Sequence, residues 1–231
     1  MPSFMKAHIN ATRNGCRFWD EMQQRAEARR HLKLFLAPRD AAMSDAMVPD
    51  YLVSESMIDR YFAIEPPLMR STTEFDPIIG EIETAYVLGL FFSALSASVV
   101  TIERLLNTAR IELHQHVSPK IKALWNKDST NDWQPNIDAL SSWKYVSDEL
   151  AEELPKIYGI RCHYLHSGDI ATVEVDSLQA VRAAYRLLNE LIGFPSRLFR
   201  LGTSGGWECL DPQDPLVRVF YTPNAVQESG T

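Results

Sequence analysis

Between Ile157 and Asp169 the chain reads IYGIRCHYLHSGD, which sets Arg161, His163 and His166 close together near the end of a helix-like stretch. These residue types suit one kind of chemistry. Histidine titrates near neutral pH and can take or give a proton, while the planar, permanently charged guanidinium of arginine holds negative charge on oxygen. Five positions along a helix is about 140° of rotation, so Arg161 and His166 do not form one tight face by themselves. Plainer readings compete. Arg161 could pair with Glu152, Glu153 or Asp169, and His166 could cap the last turn. His163 and His166 share a face and could bind a metal with His114 or His116, but no acidic or cysteine ligand joins them at motif spacing. Cys162 lies between Arg161 and His163, which could lower its pKa, yet no acyl-transfer constellation accompanies it.

A set of helices must position these groups. Apolar residues Ile82, Tyr86, Leu95, Val99, Ile102, Leu106, Ala109 and Leu113 recur at helical spacing. They predict one long helix from Glu81 to about Val117, stopped by Ser118-Pro119. A short helix over Ile121 to Trp125, a polar loop NKDSTNDWQPN over Asn126 to Asn136, and another short helix over Ile137 to Tyr145 follow. Ser147 is placed as an N-cap with Asp148 and Glu149 in the first turn. The helix it starts is expected to be interrupted or to restart at Pro155, to carry Leu154, Ile157, Ile160 and Tyr164 inward, and to stop at Gly168. Asp176 or Ser177 is expected to cap the last strong helix, LQAVRAAYRLLNELIGF, with Leu178, Val181, Ala184, Tyr185, Leu188 and Leu191/Ile192 on one side. The expected fold class is all-α, with four or five helices over residues 80–201. Before them lies a less regular helical segment, 1–79, broken by Pro38, Pro49 and Pro66-Pro67; after them lies a loop-rich tail, 202–231, in which LVRVFYT could add one strand.

A chain of 231 residues, 45% hydrophobic and 23% charged, can fill one core. The formal net charge is −7, but residues 1–39 hold eight Lys/Arg against three acids. A run such as RAEARRHLK there is either a solvated helix face or a phosphate-binding patch. Cys16, Cys162 and Cys209 lie far apart without a CxxC pair, which predicts reduced thiols. Thr84 to Ile102 carries no charge and is about as long as a membrane span. Its five serine and threonine residues, its flanking Glu83 and Glu103, and the apolar period that runs past it favour a buried helix. No basic leader with an apolar core opens the chain, so a soluble, cytoplasmic protein with no membrane partner is expected.

The order of long helix, polar loop, helix ending in Arg161-x4-His166-x-Gly168, and long amphipathic helix resembles the HEPN superfamily. The resemblance rests on RCHYLHSG, with ALSASVVTIERLL before it and AVRAAYRLLNELI after it, and covers about half of the chain. It implies a HEPN-like helical bundle and a metal-independent endoribonuclease that needs no cofactor and works as a homodimer, two copies of the motif facing each other. Arg161 and His166 would then be catalytic, and His163, Lys156 and Tyr158 would contact RNA. The residue types fit such a reaction. Attack of a 2′-OH on its neighbouring phosphate needs proton transfer, which His166 can supply, and a fixed cation for the growing phosphoryl charge, which Arg161 can supply. A helix C-terminus favours protonated His166.

The match departs from the family pattern in two places. Cys162 stands where a polar residue, often Asn, usually follows the arginine. Gly168 stands where family members silenced by adenylylation carry a tyrosine, so that modification is not expected. A toxin-like or antiphage effector, with a possible antitoxin or regulatory protein, is the role the resemblance implies. The alternative is a catalytically inactive HEPN-like dimerisation module that binds RNA, a nucleotide or a protein. Trp125, Trp133 and Trp143, around the polar loop, could stack bases or pack in the core.

Overall fold

The computed structural model describes residues 21–36, 52–64, 69–70, 75–117, 132–166, 171–194, 199–201 and 207–220. Eight helices account for most of them: α1 (Glu21–Leu36), α2 (Glu55–Ala63), α3 (Asp76–Val87), α4 (Phe91–Val117), α5 (Gln134–Ser142), α6 (Asp148–His166), α7 (Val173–Ile192) and α8 (Pro215–Phe220). Four minimal strands complete the set. β1 (Met69–Arg70) pairs antiparallel with β2 (Gly193–Phe194), and β3 (Phe199–Leu201) with β4 (Trp207–Cys209). The fold is all-α, as composition and periodicity require.

The 27-residue α4 is the axis of the bundle and packs against α3, α5, α6, α7 and α8. Its apolar period is the reason. Leu95, Val99, Ile102, Leu106, Ala109 and Leu113 are all buried, as are Ile82 and Tyr86 on α3. The face of α7 that carries Val181, Ala184, Tyr185, Leu188 and Leu191 meets it across the largest helix–helix contact in the fold. Burying side chains of this size stabilises by about 1.5–3 kcal/mol each before conformational entropy is subtracted. Among the described residues no helix is long and apolar enough to cross a membrane.

The long helix expected from Glu81 to Val117 is two helices. Gly89 sits at φ +81°, and Leu88, Gly89 and Leu90 donate to the carbonyls of Thr84, Tyr86 and Ala85, which ends α3 before α4 begins at Phe91. A left-handed residue at the helix end is the usual stop, and glycine takes it without Cβ strain. At this turn the Arg60 guanidinium packs under Gly89 and over the Phe91 ring, 4.9 Å from its centroid. Helix α3 starts at Asp76, five residues before the expected Glu81, with Pro77 in its first turn.

Other boundaries shift for equally local reasons. Helix α5 starts inside the expected polar loop, with Pro135 in its first turn and the Asp132 carboxylate accepting from the Gln134 amide at 3.1 Å. It ends at Ser142 rather than Tyr145, and Lys144 takes φ 64° beyond it. Helix α6 runs unbroken through Pro155, whose exposed ring leaves only the Ala151 carbonyl without its helical donor. Helix α7 starts at Val173, earlier than the Asp176 or Ser177 cap predicts, because the Thr172 hydroxyl donates to Asp176 at 2.8 Å across the first turn. LVRVF is helical, not a strand: Asp214 caps α8 by accepting from the Leu216 amide at 2.8 Å, and Pro215 opens it. The expected helix over Ile121 to Trp125 and the stop at Gly168 lie outside the described residues.

Candidate functional site

Helix α6 carries the motif, and two anchors fix it. At its start the Ser147 hydroxyl accepts from the Leu150 amide at 3.2 Å and donates to Glu190 on α7 at 2.6 Å, which realises the expected N-cap and ties it to a neighbour. Near its end the Tyr164 hydroxyl donates to Asp176 at 2.7 Å. Between these points Leu150, Leu154 and Ile157 are buried, and Ile160 packs against the core.

Arg161 therefore stands in a defined place, with a quarter of its side chain exposed. Its Nη2 lies 3.3 Å from Oε2 of Glu103 on α4, whose side chain is similarly exposed. Its Cζ lies 5.6 Å from the ring centroid of Tyr158, one turn earlier on α6, within range of a cation–π contact. The Tyr158 ring meets Trp133 edge-on at 5.5 Å, and the Trp133 indole N–H donates to the same Glu103 oxygen at 3.2 Å. Four residues from α4, α6 and the start of α5 thus close on one another: Glu103, Trp133, Tyr158 and Arg161. The ion pairs foreseen for Arg161 with Glu152 or Glu153 do not form; Glu153 bonds Arg186 on α7 at 2.5 Å instead. Asp169 lies outside the described residues.

Below this cluster a polar track enters the core. Glu103, Asn107, Arg110 and His114 follow one face of α4 at spacings of four, three and four. The Asn107 amide donates to the Glu103 carbonyl at 3.0 Å, and Asn136 of α5 donates to the Asn107 side-chain oxygen at 3.3 Å. Arg110 donates from Nε to the Asn136 side-chain oxygen. Asn107, Arg110 and Asn136 are all buried, and burial draws the Arg110 guanidinium pKa below its ordinary value. His114, also buried, lies 5.9 Å from the Trp143 ring. Buried amides that bond one another fix a single packing of α4 on α5, since a shift would leave them unsatisfied.

The remaining candidates divide. Lys156 and His163 are exposed, on a face of α6 different from that of Tyr158 and Arg161. His163 makes an edge-on contact with Tyr164 at 5.1 Å between centroids. His166 closes α6, and its side chain lies outside those described. The structure thus brings Arg161 and Tyr158 together and sets Lys156 and His163 apart from them. Cys162 and Cys209 are free thiols. Trp133 is fully packed, 1% exposed, so it serves the core and not a base-stacking surface; Trp125 lies outside the described residues. Among the described residues no group of three or more His, Cys, Asp or Glu could hold a metal ion.

Two participants escape a reading that starts from the motif. Glu103 is visible in the sequence only as the acidic edge of an uncharged stretch, and Trp133 only as one of three tryptophans near a loop. The available signal is the track itself: polar residues at positions 103, 107, 110 and 114 of a helix whose other buried polar positions are the small hydroxyl residues Ser98 and Thr101.

The basic run of α1 resolves as an ion-paired face. Arg25 bonds Glu55 at 2.5 Å and Asp59 at 2.9 Å, Arg29 bonds Glu55 and the Val53 carbonyl, and Arg30 bonds Glu27 at 2.5 Å. Arg25 and Arg29 hold α1 on α2, while Arg30 pairs within α1. Compared with known proteins, the chain matches no family model, no curated protein and no solved structure.

Proposed function

We propose that the chain is a HEPN-type endoribonuclease that acts as a homodimer, a toxin-like or antiphage effector, with Arg161 and His166 as its catalytic residues. The observation that carries this reading is the placement of Arg161. Its guanidinium is partly exposed, supported by the Tyr158 ring, and stands on the same helix as His166, which occupies the last turn. An arginine meant only for the core would be enclosed like Arg110.

In this reaction the 2′-oxygen of a ribose bonds to the adjacent phosphorus, and the bond to the 5′-oxygen breaks. The products are a 2′,3′-cyclic phosphate and a free 5′-hydroxyl. One proton leaves the attacking hydroxyl and one joins the departing oxygen; a histidine in each copy can perform one transfer apiece. Arg161 would meet the charge that grows on the phosphoryl oxygens. Tyr158, beneath the guanidinium, would keep it extended, and His163 and Lys156 would meet flanking phosphates from the exposed face of α6.

The Glu103 carboxylate beside Arg161 favours a second reading, in which the same bundle is a dimerisation module that binds RNA, a nucleotide or a protein without cutting. Incubation of a mixed RNA pool in EDTA with wild type, Arg161→Ala and His166→Ala separates the two. The nuclease reading expects cutting by wild type alone; a folded, silent wild type, or cutting that both variants retain, supports the binding module.

A further inference from the structure

We propose that Glu103 guards Arg161, so that an anionic substrate reaches the guanidinium only by displacing a carboxylate the fold already holds there. The inference rests on the reading of Arg161 as the phosphate-contacting group. Three observations carry it. First, the pair is reachable: the Arg161 and Glu103 side chains are 25% and 23% exposed, and ion pairs with this much access to water are weak enough to exchange partners. An RNA phosphodiester offers a guanidinium fork the same single charge and paired oxygens as a carboxylate, and the neighbouring phosphates of the strand add to the attraction, so it can compete for the fork.

Second, Glu103 cannot simply drift away. Its Oε2 accepts the indole N–H of Trp133, which is 1% exposed, and its carbonyl accepts from Asn107, which Asn136 holds in turn. The carboxylate is therefore tied to the start of α5 through Trp133, and the backbone that carries it is linked to α5 through Asn107 and Asn136, so a phosphate that arrives at Arg161 meets a held negative charge at short range. Third, Glu103 and Arg161 come from different helices, so their contact depends on how α6 lies along α4. A partner that shifts α6 would change the pairing, and the guard would restrain the site when that partner is absent.

The carboxylate occupies the Nη2 edge of the guanidinium, so a phosphate that takes that edge must displace it. Removing the charge while keeping an oxygen for Trp133 separates guarding from support. Glu103→Gln does this, because its amide oxygen can still accept the indole N–H. The test is the affinity of a fluorescent 2′-O-methyl oligoribonucleotide, read by anisotropy at fixed salt, for full-length wild type, Glu103→Gln, Arg161→Ala and the double variant, each checked for helicity. The guard predicts about two- to fivefold tighter binding by Glu103→Gln, and none of that gain in the Arg161→Ala background.

Binding by Glu103→Gln that equals or falls below wild type would overturn the proposal and make Glu103 a support for Arg161. An equal gain in both backgrounds would overturn it too, since the effect would then be the general field of one acid. Absence of binding by every variant would overturn it as well. The strand has no free 2′-hydroxyl and cannot be cut, so the predicted pattern in a chain that cleaves no RNA would refute the nuclease reading and leave the guard standing.

Discussion

Arg161 Nη2 and Glu103 Oε2 lie 3.3 Å apart, and through that contact α6, which carries the motif, is joined to α4, the axis of the bundle. The same carboxylate oxygen receives the indole N–H of Trp133, so one acid ties three helical elements together at the edge of the core.

Glu103→Ala should cost stability as well as change the site. Trp133 is fully packed, and its indole N–H would lose its acceptor, for which a cost of about 1–3 kcal/mol is expected. Glu103→Gln, which keeps an acceptor, should cost clearly less. Urea unfolding of the two variants checks the difference; equal losses would mean that the charge, not the indole bond, sets the stability.

Gly89 should resist substitution. At φ +81° an added Cβ is strained, and it would stand 2.9 Å from Arg60 Nη1. Gly89→Ala is expected to destabilise by about 1–2 kcal/mol. Arg60→Ala in the same chain should relieve the collision but not the backbone strain, so thermal melts of the double variant should not return to those of Arg60→Ala alone.

Much of this framework is legible in the sequence, and the residues show why. The stripe from Ile82 to Leu113 is readable because burial on one side of a helix repeats with the helical period whatever the neighbours are. Ser147 is readable because a cap is a local bond, and it caps α6 as expected. The break at Gly89 is not, since one glycine inside a continuous apolar period competes with seven or eight residues that agree with a single helix. Pro155 misleads in the opposite direction: α6 tolerates it because it faces solvent, a property that depends on where α4 and α7 lie. Arg161 is legible as a candidate from the motif and Tyr158 only through the resemblance, whereas Glu103 becomes their partner only when α6 crosses α4, a contact that no local pattern specifies.

Loss of the α6 cap should loosen the motif helix at its start. Ser147 serves both the Leu150 amide and Glu190, so Ser147→Ala is expected to cost about 1 kcal/mol, with faster hydrogen exchange in the first turn of α6. Unchanged exchange there would show that Leu150 and Leu154 anchor the turn without the cap.

Acid should release α1 from α2. The Glu55 carboxyl is held below its ordinary pKa, first by its hydrogen bond from Arg25. A carboxyl whose pKa is lower folded than unfolded contributes stability above the unfolded value, about 4.3, and loses it as pH falls through the folded value. Protection factors in α1, from which the intrinsic rate's own fall with pH is removed, should therefore drop as pH falls from about 5 to 3, and Glu55→Gln should remove that dependence.

The most direct measurement is single-turnover cleavage of a defined RNA, with the new ends identified, by wild type and by Arg161→Ala, beside the same RNA 2′-O-methylated throughout. Wild type should give 2′,3′-cyclic phosphate and 5′-hydroxyl ends and no product from the methylated strand, and folded Arg161→Ala should lose about a hundredfold or more in rate. Cleavage of the methylated strand, or a rate that survives loss of Arg161, would contradict the nuclease reading.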